Sequence, residues 1–281
     1  MLTYFAAWKN VLKTWHNRPN LGYVDLYSGP GIYSDGSPST PLLILKQALE
    51  DDYLVEKLIA VFNDGDPQLA AELEINIEQL PGIRRLRIKP RVCNCPVSDT
   101  AIGLRPAGPS LLFADPWGYK GLSITLIARF LETPGSDCIF FFNYNRINAG
   151  LGWKGFDEPL GQVFGQGRAE ALRSRMQGLT RTERERVIIG ETQAALKGVG
   201  ARCALPFRFV SANVNRTSHH LLFASTHPLG CRIMKNVMRD HSSTIMQGLG
   251  SFEFAGAVSQ SEQLILAGLG PLGLRPPEKV L

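Results

Sequence analysis

The most chemically loaded stretch of the chain is Asp115-Pro116-Trp117-Gly118-Tyr119, which directly follows the apolar run Ser110-Leu111-Leu112-Phe113-Ala114. An acid, a proline and an aromatic ring beyond a buried strand suit the handling of a nucleobase amine. Such an exocyclic amine is a weak nucleophile because its lone pair is delocalised into the ring. Asp115 and the carbonyl of Pro116 are placed to accept its two N–H bonds and aim the lone pair at a methyl donor, while Trp117 stacks on the base. No strong general base is required, since the amine sheds its proton after attack. A plain Asp-Pro turn ahead of the helical pattern at 122–131 is the competing structural reading. Beyond the next apolar run, 137–142, comes Asn143-Tyr144-Asn145-Arg146-Ile147-Asn148. Tyr119, Asn143, Tyr144 and Asn145 are the candidates for contacting the base, although asparagine also favours loops for local reasons.

A methyl acceptor needs a donor, and the stretch from Leu21 to Gly31 is where one would bind. Leu21, Tyr23, Val24 and Leu26 read as a short buried strand that Ser28-Gly29-Pro30-Gly31 breaks into a turn. Ligands of parallel sheets sit beyond such strand ends, where glycines allow close approach. The dinucleotide fingerprint wants a third glycine and free amides; here Ser34 stands at that position and Pro30 has no N–H. A turn poor at holding phosphate, with Asp25 just ahead of it, suits an amine and a sulfonium, which predicts S-adenosylmethionine as cofactor. Asp25, Tyr27, Gly29 and Gly31 are assigned to it. Asp64, after the strand expected at 58–62, is assigned to the ribose hydroxyls because one carboxylate accepts both. Asp66 is the second choice there, or the cap of the helix that begins at Pro67. Asp99 reads either as an acceptor for the adenine amino group or as a turn residue.

Around these residues the pattern is that of an α/β protein. Helical spacing is expected over 4–15, 38–53, 67–80 and 230–246, and strands over 83–92, 207–211 and 221–225. In the stretch 83–92, Arg85, Arg87, Lys89 and Arg91 alternate with apolar residues. That row fits a charged edge strand that resists aggregation, or a track for phosphates. Residues 150–200 read as a helical insert with basic faces, and the tail from 248 as irregular, leaving a main domain over 1–247. With 30 basic and 25 acidic residues in 281, the charge of +5 permits a polyanionic partner without requiring one. No apolar run has membrane-spanning length. Five cysteines, an odd number without framework spacing, point to a reducing, cytoplasmic setting. Neither Cys93-x-Cys95 nor His219, His220, His227 and His241 has metal-ligand spacing, so no metal is expected.

Taken together, Asp-Leu-Tyr-Ser-Gly-Pro-Gly at 25–31, Gly-Ser-Pro at 36–38, Asp-Pro-Trp-Gly-Tyr-Lys-Gly at 115–121, Phe-Asn-Tyr-Asn-Arg-Ile-Asn at 142–148 and the stretch 220–238 resemble the three-Cys-motif partner protein (TcmP) family. The resemblance implies a Rossmann-like class I methyltransferase fold, with a mostly parallel seven-stranded sheet and an antiparallel C-terminal strand. It also implies association with a three-cysteine protein, a candidate iron–sulfur partner. Asp115-Pro116-Trp117-Gly118 is further similar to the Asp-Pro-Phe-Gly loop of tRNA guanine dimethyltransferases. Against the Asn/Asp-Pro-Pro-aromatic loop of adenine amino-methyltransferases, the aromatic ring arrives one residue early. The function expected is methylation of an exocyclic base amine in RNA or DNA. The alternative is a non-catalytic nucleic-acid-binding or scaffolding partner. A metal-dependent nuclease lacks its carboxylate–lysine cluster, and a serine hydrolase lacks G-x-S-x-G.

Overall fold

The structure is a computed structural model that describes residues 1–116, 122–153, 156–211, 216–243, 245–246, 249–250 and 252–256. Its centre is built from strands with hardly a polar residue on either face. β1 (Leu21–Asp25), β4 (Ser110–Ala114) and β5 (Asp137–Phe142) are buried along their whole length. Continuous apolar runs of this kind form the middle of a parallel sheet covered on both sides. β2 (Leu58–Asn63) and the short β3 (Arg91–Cys93) continue the parallel pairing outward from β1.

On the other side of β5 the direction reverses. β7 (Arg216–Ser225) pairs antiparallel with both β5 and β6 (Cys203–Ser211). A small ribbon, β8 (Ile245–Met246) with β9 (Leu249–Gly250), precedes β10 (Glu253–Gly256), which lies parallel to β6. The order β10-β6-β7-β5-β4-β1-β2-β3 makes this the Rossmann-like class I methyltransferase fold expected from the sequence, a mostly parallel sheet with antiparallel strands at one end. It has eight strands instead of seven, because residues 253–256, expected within an irregular tail, add one to the sheet's edge.

Helices cover both faces. On one lie α1 (Leu2–Lys13), α2 (Thr40–Leu49), α3 (Asp52–Lys57), α4 (Pro67–Glu78) and, from the far end, α10 (Pro228–Asp240). α1 presents Tyr4, Phe5, Trp8 and Leu12 to the sheet, the i, i+3/i+4 stripe of an amphipathic helix. Its Tyr4 hydroxyl donates to Asp137 Oδ2 at 2.6 Å and Trp8 Nε1 to the Gly135 carbonyl at 2.7 Å. α5 (Ile124–Leu131) covers the opposite face, joined by α6 (Tyr144–Gly150) and the helices of the insert: α7 (Asp157–Phe164), α8 (Gln166–Arg175) and α9 (Arg181–Gly198). α9 opens on a reciprocal capping box between Thr180 and Glu183.

Three expectations are corrected. The strand over 83–92 shrinks to residues 91–93. Gly82, at φ 80°, turns the chain into a 3-10 segment at 83–85, and Pro90 has no N–H to donate to a ladder. The basic row is consequently spent on local ties. Arg85 Nη1 donates to the Leu49 carbonyl at 3.1 Å and Lys89 meets Glu78 at 3.2 Å, while Arg87 stands 3.8 Å from Glu56. Second, the asparagine-rich string after β5, read as a strand end that contacts a base or as a loop, winds straight into α6. Third, Cys203 of β6 and Cys231 of α10 form a disulfide, and Cys93, Cys95 and Cys138 are free. Elements that meet only in the folded chain leave no spacing signal for that pair.

Candidate active site

The loops beyond β1 and β4 build the site. Asp25 ends β1 and turns back on its own chain: its Oδ1 accepts the Tyr27 amide at 3.2 Å, and its carbonyl accepts the Ser28 hydroxyl at 3.1 Å. Ser28 is then locked to β2, its amide donating to the Asn63 carbonyl at 2.9 Å and its Oγ accepting the Asn63 amide at 3.1 Å. Gly29 and Gly31 both sit at positive φ, 63° and 88°, where other residues are strained. A side chain on Gly31 would come within 2.8 Å of Leu73, whereas open space lies beside Gly29. From Gly31 the chain makes a small hairpin (Ile32 bridged to Pro38) and returns through Ser39 into α2.

Between the β1 turn, the start of α2 and the end of β4 lies a cavity with about 310 Å³ of empty space, part of it open to solvent. Asp25, Tyr27, Tyr33, Ser39, Thr40 and Asp115 line it, with Phe113 and Phe141 below. Burial is the main reason the Asp25 carboxyl is held well above the ordinary carboxylate range. The Tyr27 amide acts against that, and the charges of Asp115 and Asp64 add to it. Burial likewise pushes Asp115 up to about 7. Both carboxyls resist ionisation, and a positive charge brought into the cavity would favour their ionised forms.

Asp64 stands beside this cavity and does not line it. One of its oxygens accepts the Gly29 amide at 2.9 Å and the other the Asp66 amide at 2.9 Å, so it clamps the glycine turn to the end of β2. Each oxygen retains a second lone pair for a ligand hydroxyl. Asp66 caps α4 by accepting from the amides of Gln68 and Leu69, so each aspartate has its own task.

The other assigned residues divide. Pro116 follows β4 directly and is half-buried. Asp99 opens a 3-10 segment, Asp99–Leu104. Trp117 and Tyr119 lie outside the described residues. Asn143 caps α6, its Oδ1 accepting the Arg146 amide at 3.2 Å. Tyr144 and Asn145, expected to face a base, have internal partners instead. Tyr144 is fully buried, its hydroxyl donating to the Arg181 carbonyl at 3.2 Å. Asn145 Nδ2 donates to the Thr217 and Ser218 carbonyls at 2.9 and 3.1 Å, and its Oδ1 accepts from Arg181 at 2.8 Å. They tie α6 to α9 of the insert and to β7.

No family profile and no curated protein matches the chain's sequence. Solved structures overlap with its fold at low sequence identity. The protein LPL1258 of Legionella pneumophila strain Philadelphia 1 overlaps at TM-score 0.44 and 11% identity, over 80% of this chain and 83% of that one. Fibrillarin from Aeropyrum pernix, crystallised with natively bound S-adenosyl-L-methionine, overlaps at TM-score 0.37 and 12% identity, over 79% and 75%. A putative rRNA-methylase from Clostridium thermocellum gives 0.37 and 13%, over 79% and 96%. The fold assignment rests on the strand order, and these overlaps add no argument about activity.

Tyr33, Ser39, Thr40 and Asn63 were not foreseen. Tyr33 sits in an irregular loop without a pattern. Ser39-Thr40-Pro41 does carry a helix-start signature, and that was the available signal. Asn63 is wholly buried at the end of β2. Its Nδ2 donates to the carbonyls of Leu26 and Cys95, both at 3.1 Å, and its Oδ1 accepts the Cys95 amide at 3.1 Å. It pins three strand ends together beneath the site.

Proposed function

We propose that the chain is an S-adenosylmethionine-dependent methyltransferase acting on an exocyclic amine of a nucleobase in RNA or DNA. The observation that carries this reading is the convergence of the Asp25 and Asp115 carboxyls on one cavity at the carboxyl ends of β1 and β4. An acidic, partly enclosed cavity fits a ligand whose reactive end carries an ammonium and a sulfonium, and it is unsuited to a pyrophosphate. The open space beside Gly29 gives the ligand room to approach the backbone. Bound there, the cofactor would supply an electrophilic methyl carbon.

The chain's own residues do the rest. Asp25 holds the ammonium end and Asp64, beside the glycine turn, is positioned for the ribose. Asp115 in its ionised form accepts an N–H of the target amine and fixes the lone pair along the line of attack. The neighbouring sulfonium favours that ionised form, offsetting the burial that raises its pKa. The resemblance to the three-Cys-motif partner family belongs to the same proposal. Two of its motifs, 25–31 and 115–121, contribute residues to this cavity: Asp25, Tyr27 and Ser28 from the first and Asp115 from the second.

Labelled methyl transfer to total cellular RNA and DNA tests the reading, with the product base identified after hydrolysis. Label is expected on an exocyclic nitrogen. Asp115→Ala should abolish transfer while cofactor binding stays nearly intact. Label elsewhere, or no transfer by a cofactor-bound protein, contradicts the proposal.

A further inference from the structure

We infer that Arg146, Arg181 and Arg216, drawn together around the Asn145 side chain, seat the phosphate backbone of the nucleic acid whose base enters the cavity. This rests on the methyltransferase reading and adds where the polymer lies.

Three distant parts of the chain meet at Asn145. Arg146 follows it in the first turn of α6 and is exposed. Arg181, exposed as the first residue of α9, donates from Nη2 to Asn145 Oδ1 at 2.8 Å. Arg216, exposed at the start of β7, precedes Thr217, whose carbonyl accepts from Asn145 Nδ2 at 2.9 Å. The group stands at the edge of the sheet where the cavity opens. α6 begins directly beyond β5, and β7, with His220 opposite Phe142, carries residues 216–219 past the end of that strand. Only β5 separates β7 from β4, so at the usual strand spacing β7 lies about 10 Å from the strand that leads into Asp115.

No carboxylate balances these charges. None of the three arginines takes part in an ion pair among the described residues, whereas Arg168 and Arg175 share Glu191, Arg173 meets Asp157 and Arg208 meets Glu185. The acids nearest to Arg181 in sequence are committed elsewhere. Glu183 closes the capping box with Thr180, and Glu185 is buried against Thr217, Arg208 and His220. Arg181 also stands at the positive end of α9, where a cation is disfavoured. Like charges gathered without counter-charge are costly alone, and a polyanion that neutralises them gains by releasing its own counterions. The planar guanidinium fork matches phosphate oxygens. The neighbouring cavity, read as a site for a base amine, selects nucleic acid over an acidic polypeptide.

The test titrates fluorescent single strands of RNA and of DNA with the full chain across a range of salt, with polyglutamate as a second polyanion. The double variant Arg146→Gln, Arg216→Gln should weaken strand binding roughly 10-fold at low salt. It should also lower the slope of log K against the logarithm of salt concentration by about 1–2. Its Tm and its affinity for S-adenosylmethionine should match wild type. The double variant Arg168→Gln, Arg175→Gln removes the same charge from a paired site and should change strand binding little. Tighter binding of RNA than of DNA, or the reverse, identifies which polymer supplies the phosphates. Unchanged affinity and slope in the first variant overturn the inference, as does an equal loss in the second, or polyglutamate bound as tightly as the strands. Loss of strand binding in the first variant of a chain that takes up no cofactor keeps this surface and overturns the methyltransferase reading instead.

Discussion

Asp25 and Asp115 share a cavity because of strand register. Asp25 of β1 lies opposite Phe113 of β4 in the parallel ladder, and Asp115 is two residues further along. Side chains two apart in a strand point the same way, so the acid beyond β4 lands on the same side of the sheet as the acid ending β1. Phe113, between them in sequence, forms part of the cavity floor. A one-residue slip in this pairing would separate the two carboxyls.

Because burial holds the Asp25 carboxyl well above the ordinary carboxylate range, cofactor binding should be coupled to protons. A cationic ligand prefers the ionised form of Asp25, so binding releases protons, and affinity rises with pH. Calorimetric titration in buffers of different ionisation enthalpy checks this. Proton uptake, or affinity that falls with pH, would contradict the placement of Asp25 against the ammonium.

The same burial makes Asp115 costly to the fold. Its raised pKa means the native state holds a proton that the unfolded state releases, so its contribution to stability declines as pH climbs from about 4 to about 7. Asp115→Asn removes the ionisation and should raise stability by about 1–3 kcal/mol at neutral pH. The gain should vanish under acid conditions. Urea denaturation at two pH values decides; a destabilised variant at neutral pH would count against the electrostatics.

Much of the frame was legible beforehand. β4 and β5 were read to the residue because a parallel sheet's central strands are unbroken apolar runs bounded by turn residues; Asp115 follows from where the β4 run stops and Tyr27 from where the run ending at Leu26 stops, while Asp25 is the one acid within that run. What escaped depends on partners distant in sequence. Asn145 looked like an open strand-end residue until folding brought the Thr217 carbonyl to it, and Arg181 of α9 to its other end. Tyr33 and Ser39 reach the cavity only because a loop doubles back through the Ile32–Pro38 bridge. The edge strand failed for a local reason: alternation of charge and apolar residues counts for little when Gly82 and Pro90 flank it.

Tyr4 and Asp137 provide a test far from the site. Burial raises the Asp137 carboxyl to about 6, while hydrogen bonds from Ser225 and Tyr4 pull it back. Tyr4→Phe removes one of these donors, so the ionised form becomes costlier. The variant should lose about 1–2 kcal/mol at pH near 8 and clearly less below a pH of about 3, where the group is largely protonated in both states. Thermal unfolding at the two pH values should separate them; an equal loss at both would show that Asp137 is not charged in the native protein.

Tyr23 should behave in the opposite way from Asn63. The Tyr23 ring packs against Phe5 and Phe62 and its buried hydroxyl has no hydrogen-bond partner among the described residues, so Tyr23→Phe should be neutral or stabilising by about 1 kcal/mol. Asn63→Ala strands the carbonyls of Leu26 and Cys95 in the interior and should cost about 2–4 kcal/mol. Denaturant midpoints of the two variants on opposite sides of wild type are the expected outcome.

The central claim is that this cavity holds S-adenosylmethionine, and calorimetric titration of the wild-type chain with that cofactor tests it most directly. Saturable one-to-one binding with a dissociation constant well under millimolar is expected, and Gly31→Ala should weaken it by disturbing the turn against Leu73. Absence of binding at millimolar cofactor would contradict the claim.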